Sequence, residues 1–285
     1  MKDLTEHNVT EAVLSTLGAR TDPRLAELMG SLVRHLHAFV RETRPTRAEW
    51  MAAIDFLTRT GQLCDDIRQE FVLLSDTLGV SILVETINQD RAAGASENSL
   101  FGPFFRPGAR EVGFGGDIAL TPGEPAWVEG RVRDTSGDPV AGATIEIWQT
   151  ADNGQYEGQD PHQPESNLRA RLRTEPDGRF AFRTIKPRPY PIPTDGPVGQ
   201  MLAATGRHAM RPAHIHFMIE APGFQRLVTA LYSEGDAWLD SDAVLGVKGS
   251  LVIAFERDDR EDDAQRRGLP NPHWQVRHDF VLARA

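Results

Sequence analysis

Cysteine is almost absent from this sequence: Cys64 is the only one among 285 residues. No internal disulfide can form, and a thiolate-rich zinc or iron–sulfur site is excluded, so a bound metal must take nitrogen and oxygen ligands. Positive charge is also in deficit, because 31 Lys and Arg face 41 Asp and Glu. The resulting net charge of −10 argues against a nucleic-acid-binding surface.

Long hydrophobic runs are missing as well. No segment approaches the roughly 20 apolar residues that span a bilayer, and residues 1–20 lack the apolar core and cleavage site of a signal peptide. We therefore expect a cytoplasmic protein that binds neither nucleic acid nor membrane, in agreement with its single cysteine.

The first hundred residues have the spacing of helices. Asp22-Pro23 is typical of an N-cap followed by proline in the first turn, and Thr46 with Glu49 forms a capping-box pattern. A third helical stretch runs from about residue 65 to 88, and Gly79 predicts a bend in it. These helices carry more apolar positions than they can bury among themselves. We expect them to pack on the second domain, on another subunit, or on both.

From about residue 127 the apolar period changes to two, with Gly, Pro, Asp and Asn at the breaks, which predicts short strands. Such strands indicate a mainly β fold, with residues 101–285 forming an antiparallel β-sandwich and residues 1–100 a helical dimerisation domain. The acidic stretch 257–263 is predicted to be a solvated loop. The predicted strands are Trp127–Val132, Thr144–Trp148, Arg179–Arg183, Ala213–Ile219, Leu227–Leu231, Leu251–Phe255 and Val276–Leu282.

Two histidines lie two residues apart in the predicted strand Ala213–Ile219. Side chains at i and i+2 of a strand point to the same face, so His214 and His216 are able to bind one metal ion. A purely structural role for the pair is the alternative.

Tyrosine is scarce, with three in the chain, and two of them lie in loops rich in Gly or Pro. Tyr156 follows a predicted strand in the sequence Asp-Asn-Gly-Gln-Tyr, and Tyr190 is surrounded by four prolines. A proline-flanked tyrosine often only covers a core. The same rigidity would also hold a metal ligand in place without regular secondary structure.

The order and spacing of these residues resemble the intradiol ring-cleaving dioxygenase family. The resemblance starts at Val128-Glu-Gly-Arg-Val132, continues through Gly137, Ile145-Glu-Ile147 and Gly154-Gln-Tyr156, and extends over most of residues 100–285. It implies one non-haem Fe(III) per subunit. The ligands that it implies are Tyr156, Tyr190, His214 and His216.

The chemistry of the implied ligands agrees with Fe(III). A phenolate at neutral pH requires a strong Lewis acid, because free tyrosine has a pKa of about 10. Two phenolates, two neutral imidazoles and a hydroxide balance the charge of a trivalent ion. Zinc sites use His, Cys or carboxylates, and the 2-His-1-carboxylate Fe(II) site needs an acidic ligand that the resemblance does not supply.

In the family that the sequence resembles, a ring diol and O2 react, and the ring opens between the two hydroxyl-bearing carbons. The resemblance implies that Tyr190 takes a substrate proton. It also implies that Arg211, three residues before His214, supplies fixed positive charge beside the substrate. A surface salt bridge is the alternative role for Arg211.

Several segments resemble the hydroxyquinol-cleaving branch of the family, among them Leu73–Gly79 and Tyr190–Gly199. We therefore expect hydroxyquinol (benzene-1,2,4-triol) as substrate and maleylacetate as product, with Asp76 accepting a hydrogen bond from the third hydroxyl or, alternatively, capping a backbone amide. The predicted substrate-binding residues are Leu73, Asp76, Leu100, Phe101, Gly102, Pro103, Phe104, Ile192, Pro193, Arg211 and Val244.

The sequence departs from the catechol-cleaving pattern at one position. Catechol-cleaving members usually carry a glutamine fourteen residues after the second histidine, where this chain has Ala230. Catechol or chlorocatechol cleavage, giving cis,cis-muconates, therefore remains an alternative to hydroxyquinol cleavage.

Two alternatives come from other classes of protein. One is a non-catalytic β-sandwich binding module, and the other is a zinc hydrolase using His214 and His216, which lacks an evident third ligand. The apolar surplus of the helices further predicts a homodimer, and the resemblance allows a lipid-like molecule at the helical interface.

Overall fold

A computed structural model describes residues 2–66, 68–89 and 92–285. The chain divides into two compact units, Met1–Arg59 and Thr60–Ala285. The domain boundary predicted at residue 100 rests on a different criterion, the change from helical to strand spacing, and stays a prediction.

The first unit is helical. In it lie α1 (Val9–Leu14), α2 (Pro23–Thr43) and the start of α3 (Arg47–Gln62). Both predicted helix starts are confirmed. The Asp22 side chain accepts a hydrogen bond from the Leu25 amide at 2.9 Å, and Thr46 and Glu49 bond each other's backbone amides at 3.2 and 2.7 Å.

The third predicted helix is two helices, α4 (Glu70–Thr77) and α5 (Val80–Asn88). Gly79 separates them with φ +72°, a conformation that costs other residues free energy because their Cβ meets the carbonyl oxygen. The sequence predicted only a bend, but Gly79 ends one helix and precedes the next, because a residue at positive φ interrupts the helical hydrogen bonds.

The second unit is built on two main sheets. The strands are β1 (Gly116–Asp117), β2 (Pro125–Asp134), β3 (Thr144–Gln149), β4 (Arg169–Arg173), β5 (Arg179–Ile185), β6 (Tyr190–Pro191), β7 (Met210–Arg211), β8 (His214–Glu220), β9 (Leu227–Ser233), β10 (Val252–Ile253), β11 (Glu256–Asp258), β12 (His273–Arg277) and β13 (Phe280–Leu282). One sheet has the order β1-β5-β2-β12-β11 with β13 also on β2, the other has the order β10-β9-β8-β3-β4, and β6 pairs with β7.

The two sheets face each other across one apolar core. Phe182 and Phe280 of the first sheet contact Phe217 of the second, with ring centroids 6.2 and 4.9 Å apart. The predicted fold class, a mainly β protein with a β-sandwich and an N-terminal helical part, is confirmed. Its pairing is antiparallel through β3, β8 and β9 and between β2 and β5, whereas β12 and β13 run parallel to β2.

Some predicted boundaries were wrong. The stretch 257–263 is not a solvated loop, because it contributes to β11 and to α7 (Glu261–Arg267), and Asp258 and Asp263 are buried. Arginines interleaved in this sequence neutralise the acids: Arg260 and Arg267 contact Asp258 at 2.8 and 2.9 Å. Further features escaped prediction, among them α1, β4, α6 (Pro197–Ala204), and the break that divides the last predicted strand into β12 and β13.

None of the helices in the described part of the chain is both long enough and apolar enough to cross a bilayer.

Candidate active site

The alternation of side chains along β8 separates the candidate site from the core. Ile215 and Phe217 point into the sandwich and belong to its core. His214 and His216, at the intervening positions, therefore lie on the opposite face of the five-stranded sheet, as predicted. Both are buried, with 1% of their surface exposed, so other segments of the chain cover this face.

The structure brings the four predicted metal ligands together. The Nε2 atoms of His214 and His216 are 3.0 Å apart, and the hydroxyls of Tyr156 and Tyr190 are 3.5 Å apart. The ring centroids of Tyr190 and His214 are 5.6 Å apart. Tyr156 comes from a loop and the two histidines from β8, whereas Tyr190, which was predicted to lie in a loop, belongs to the short strand β6. The four side chains form one cluster with almost no access to solvent.

Burial shifts the pKa values of His214, His216 and Tyr156 towards their uncharged forms. Burial, together with the positive Arg211, lowers the pKa of His214 to about 3. The pKa of His216 is likewise lowered by burial and by His214. Burial raises the pKa of the Tyr156 phenol well above its usual value, and Tyr190 adds to the effect. A bound metal ion, the largest charge in such a site, would reverse this preference for the phenols.

The donor set suits a hard, highly charged metal ion. Two neutral imidazoles whose Nε2 atoms are 3.0 Å apart are compatible with one ion at bond lengths of about 2 Å. Among the residues that the structure describes, no three or more His, Cys, Asp or Glu side chains form a metal-binding group, so the tyrosines must complete any such site. A Cβ on Gly102 would lie 3.7 Å from His216 Nε2, and glycine therefore leaves the space beside this nitrogen open.

Arg211 is held against the cluster by a fixed set of hydrogen bonds. Its Nη1 donates to the Tyr190 hydroxyl at 3.3 Å. Its Nε and Nη2 donate to the two carboxylate oxygens of Asp242 at 3.1 and 3.3 Å, and Nη2 also reaches the Tyr232 hydroxyl at 3.3 Å. Arg211 is 3% exposed, so the alternative of a surface salt bridge is wrong. Its charge is buried and aimed at the Tyr190 oxygen.

A cleft of about 680 Å³ opens beside the cluster. Tyr156 lines it, and Phe104 stacks on the Tyr156 ring with centroids 4.4 Å apart. Asp76, also in the wall, is 4% exposed, and burial raises the pKa of its carboxyl. Eight of the predicted substrate-binding residues line the cleft: Leu73, Asp76, Leu100, Phe101, Gly102, Pro103, Phe104 and Pro193. Ile192, Arg211 and Val244 are buried and do not line it, so their substrate contacts stay predictions.

The sequence interpretation missed several residues beside the cluster. Trp148 lies opposite His216, and Tyr232 lies opposite His214, on the strands that flank β8. Asp242 holds Arg211, and Arg169 sits 5.8 Å from the Tyr156 ring, held by Glu157 at 2.6 Å. A strand pairing that aligned β3 and β9 with β8 would have identified Trp148 and Tyr232. No short-range signal marks the other residues.

Family models account for most of the chain. A model described as "Dioxygenase" matches residues 110–284, and one described as "Catechol dioxygenase N terminus" matches residues 22–96. The chain belongs to the intradiol ring-cleaving dioxygenase family and is an enzyme that incorporates both atoms of O2 into an aromatic diol. Enzymes of this family use non-haem iron.

Within that family, similar proteins cleave trihydroxybenzenes. The hydroxyquinol 1,2-dioxygenase of Rhizobium sp. is 49% identical over 98% of this chain and 96% of its own. The 6-chlorohydroxyquinol 1,2-dioxygenase of Cupriavidus pinatubonensis is 51% identical over 88% of this chain and 92% of its own. The solved structure of a hydroxyquinol 1,2-dioxygenase from Pseudomonas putida DLL-E4 superposes with a TM-score of 0.91, at 51% identity, covering 98% of this chain and 99% of that one.

Proposed function

We propose that this enzyme opens the ring of hydroxyquinol between its adjacent hydroxyl-bearing carbons and yields maleylacetate, using one Fe(III) per chain. The observation that carries the proposal is the convergence of two imidazoles and two phenols in one buried cluster beside a cleft that Tyr156 lines. The similar hydroxyquinol-cleaving enzymes at 49–51% identity support the choice of substrate.

We assign the iron to Tyr156, Tyr190, His214 and His216. Bound to these residues, Fe(III) would supply a Lewis acid for the diol oxygens and make the ring carbon reactive toward O2. The protein supplies the charge balance, because two phenolates offset two of the three positive charges and the imidazoles bind without adding charge. The donor set contains no sulfur and no carboxylate, which disfavours a zinc hydrolase.

Tyr190 is the proton acceptor that we assign for the substrate. Arg211 Nη1 donates a hydrogen bond to the Tyr190 oxygen at 3.3 Å, so a fixed positive charge faces the atom that we assign as the proton acceptor. After the transfer, the same guanidinium remains beside the substrate oxygens as their charge shifts. Asp242 and Tyr232 hold it in that position, so no reorganisation is needed during reaction.

The apolar part of the cleft suits an aromatic ring. Leu73, Pro193 and Phe104 supply an apolar wall, which suits a planar aromatic substrate. We assign Asp76 as the partner of the third ring hydroxyl, since the carboxyl is buried in that wall. Ala230, opposite His216 on β9, offers no polar group to the reacting oxygens, which favours a triol over plain catechol.

We further propose a cytoplasmic homodimer formed through the helices of residues 23–62. Apolar side chains exposed on these helices support it. They are Leu25, Leu28, Leu32, Leu36, Phe39, Val40, Trp50, Ile54 and Leu57. The same surface is suited to a lipid-like molecule held between two copies.

The visible absorption spectrum of the pure protein tests the proposed function first. We expect a red protein through tyrosinate-to-Fe(III) charge transfer, a band that moves to longer wavelength with anaerobic hydroxyquinol, and uptake of one O2 per hydroxyquinol with maleylacetate formed. Catechol should give slower uptake under the same conditions.

Two tyrosine variants provide the matched control. Tyr156→Phe removes a proposed ligand and should abolish or strongly shift the band, whereas Tyr232→Phe removes a buried phenol outside the ligand set and should leave the colour in place. A protein that stays colourless after reconstitution with iron would contradict the iron site and favour a binding module that has the family fold.

A further inference from the structure

The two histidines of the cluster are held by different means. His214 Nδ1 lies 2.7 Å from the carbonyl oxygen of Pro212. This hydrogen bond places the proton on Nδ1 and leaves the Nε2 lone pair facing the cluster. Such a bond from the second ring nitrogen is the usual way in which proteins orient a metal-binding imidazole.

His216 lacks the corresponding hydrogen bond. Its Nδ1 is buried and has no hydrogen-bond partner among the described residues. Its Nε2 nevertheless faces His214 Nε2 at 3.0 Å. Some other contact must therefore fix the rotation of this ring.

Trp148 supplies that contact. It lies directly opposite His216 in the pairing of β3 with β8, and the two rings stack with centroids 4.8 Å apart and planes 7° apart. Both residues are 1% exposed. Rotation of the imidazole out of this plane would break the stack and drive its edge into the indole. The indole Nε1 also has no partner in the described part of the chain, so it is the face of Trp148 that is used.

Trp148 is itself held from the cleft side. Phe105 packs edge-on against it with centroids 5.1 Å apart, and Phe101 lies at 5.8 Å. Both belong to the segment that lines the cleft. The indole therefore lies between the cleft wall and His216, and its orientation is fixed by both.

We propose that Trp148 is the positioning residue of His216 and does by ring stacking what the Pro212 carbonyl does for His214. The inference rests on the proposed iron site. It implies that the orientation of the His216 ring depends on the flat face of the side chain at residue 148 rather than on the volume of that side chain.

Two substitutions at residue 148 distinguish the effect of a flat ring surface from the effect of side-chain volume. Trp148→Phe keeps a flat ring and Trp148→Leu does not, while both remove part of the indole. Trp127→Leu is the control, because Trp127 is a buried tryptophan of the other sheet, 7% exposed. The measurements are the thermal midpoint of each holoenzyme, the rate at which Fe(III) passes to an external chelator, and the rhombicity of the Fe(III) electron paramagnetic resonance signal.

We expect Trp148→Leu to release iron at least ~10-fold faster than wild type, as for other residues that orient metal ligands, and to change the resonance signal. Trp148→Phe should stay near wild type, and Trp127→Leu should lose stability without faster release. If the rate of iron release simply increases as the thermal midpoint falls, in the same way in all three variants, the inference is overturned. The proposed iron site would not be affected by that result. A wild-type protein that takes up no iron would overturn the proposed function together with the inference.

Discussion

Gly102 and Gly206 share a positive φ but have different surroundings. Both have φ +68°. A Cβ on Gly206 would meet nothing within 4 Å, whereas one on Gly102 would lie 3.7 Å from His216 Nε2. The pair therefore separates the cost of the backbone conformation from the effect of a methyl group beside the proposed metal site.

Substitution of each glycine by alanine should destabilise the fold by a similar amount. We expect about 1–2 kcal/mol in both cases, because alanine at positive φ brings its Cβ against the carbonyl oxygen. Gly102→Ala alone should also weaken hydroxyquinol binding about 10-fold or more, since one added methyl group in a close-fitting site costs that much. Urea unfolding and anaerobic titration of the visible band measure the two effects.

Equal affinities for hydroxyquinol in the two alanine variants would contradict this prediction. The methyl group would then be tolerated, and Gly102 would be needed for its backbone conformation alone.

The acidic segment of β11 and α7 gives the molecule a stability that depends on pH. A hydrogen bond from Arg260 is the main cause that holds the pKa of Asp258 well below its usual range, and Arg267 adds to it. In the unfolded chain this carboxyl has a pKa of about 3.9. Its contribution to stability is therefore complete above that pH and is lost as the pH falls through and below it.

Asp258→Asn should lower the free energy of unfolding at pH 7 by about 2 kcal/mol, the typical value for hydrogen bonds to a charged group. The difference from wild type should shrink as the pH falls from 4 towards 2. Urea unfolding at several pH values measures it. Asp259→Asn changes an exposed neighbour and should match wild type throughout; a constant Asp258→Asn deficit from pH 7 to 2 would argue against the charge as its origin.

The sequence predicted those features of the site whose residues lie close together in the chain, and it missed those whose residues lie far apart. The i, i+2 spacing of His214 and His216 was enough to predict a shared face, because alternation is a local property of a strand. The stack of Trp148 on His216 depends on the register between β3 and β8, 68 residues apart at this pair, and that register is set by the whole core. The helix starts at Asp22 and Thr46 were predictable for the same reason as the histidine pair, since a cap involves only the next three residues.

The prediction of a solvated loop at 257–263 was wrong because the burial of a charge depends on the fold around it. The composition of this stretch resembles that of a solvated loop, yet Asp258 is buried and pairs both with Arg260 of the same stretch and with Arg267 beyond it. Arg267 bridges it to Gln275 on β12, with bonds of 2.9 and 2.6 Å. A charge pattern alone does not reveal which charges will find buried partners.

At the scale of the whole molecule, the exposed apolar side chains of α2 and α3 predict that the protein is a dimer in solution. Light scattering should give twice the 31.6 kDa of one chain. Leu36→Asp places a charge on an α2 side chain that is 53% exposed in the single chain, and it should shift the mass to that of one chain because an interface tolerates an unpaired charge poorly.

The control for the dimer prediction lies on the other unit. Leu120→Asp changes a side chain exposed to a similar degree, 47%, outside the helices, and should leave the mass of the protein unchanged. A wild-type mass equal to one chain would exclude the dimer.

The ion pair between Arg211 and Asp242 also determines how much of the chain must be synthesised before the site can form. Tyr156, the first of the four clustered side chains, leaves the ribosome well before Asp242, whose carboxylate oxygen also accepts a hydrogen bond from the Gly246 amide. Until that loop and β9 have emerged, Arg211 lacks Asp242, and the two histidines lack one of the two strands that flank them. We therefore expect the proposed iron to bind only after β9 and the loop that contains Asp242 have emerged.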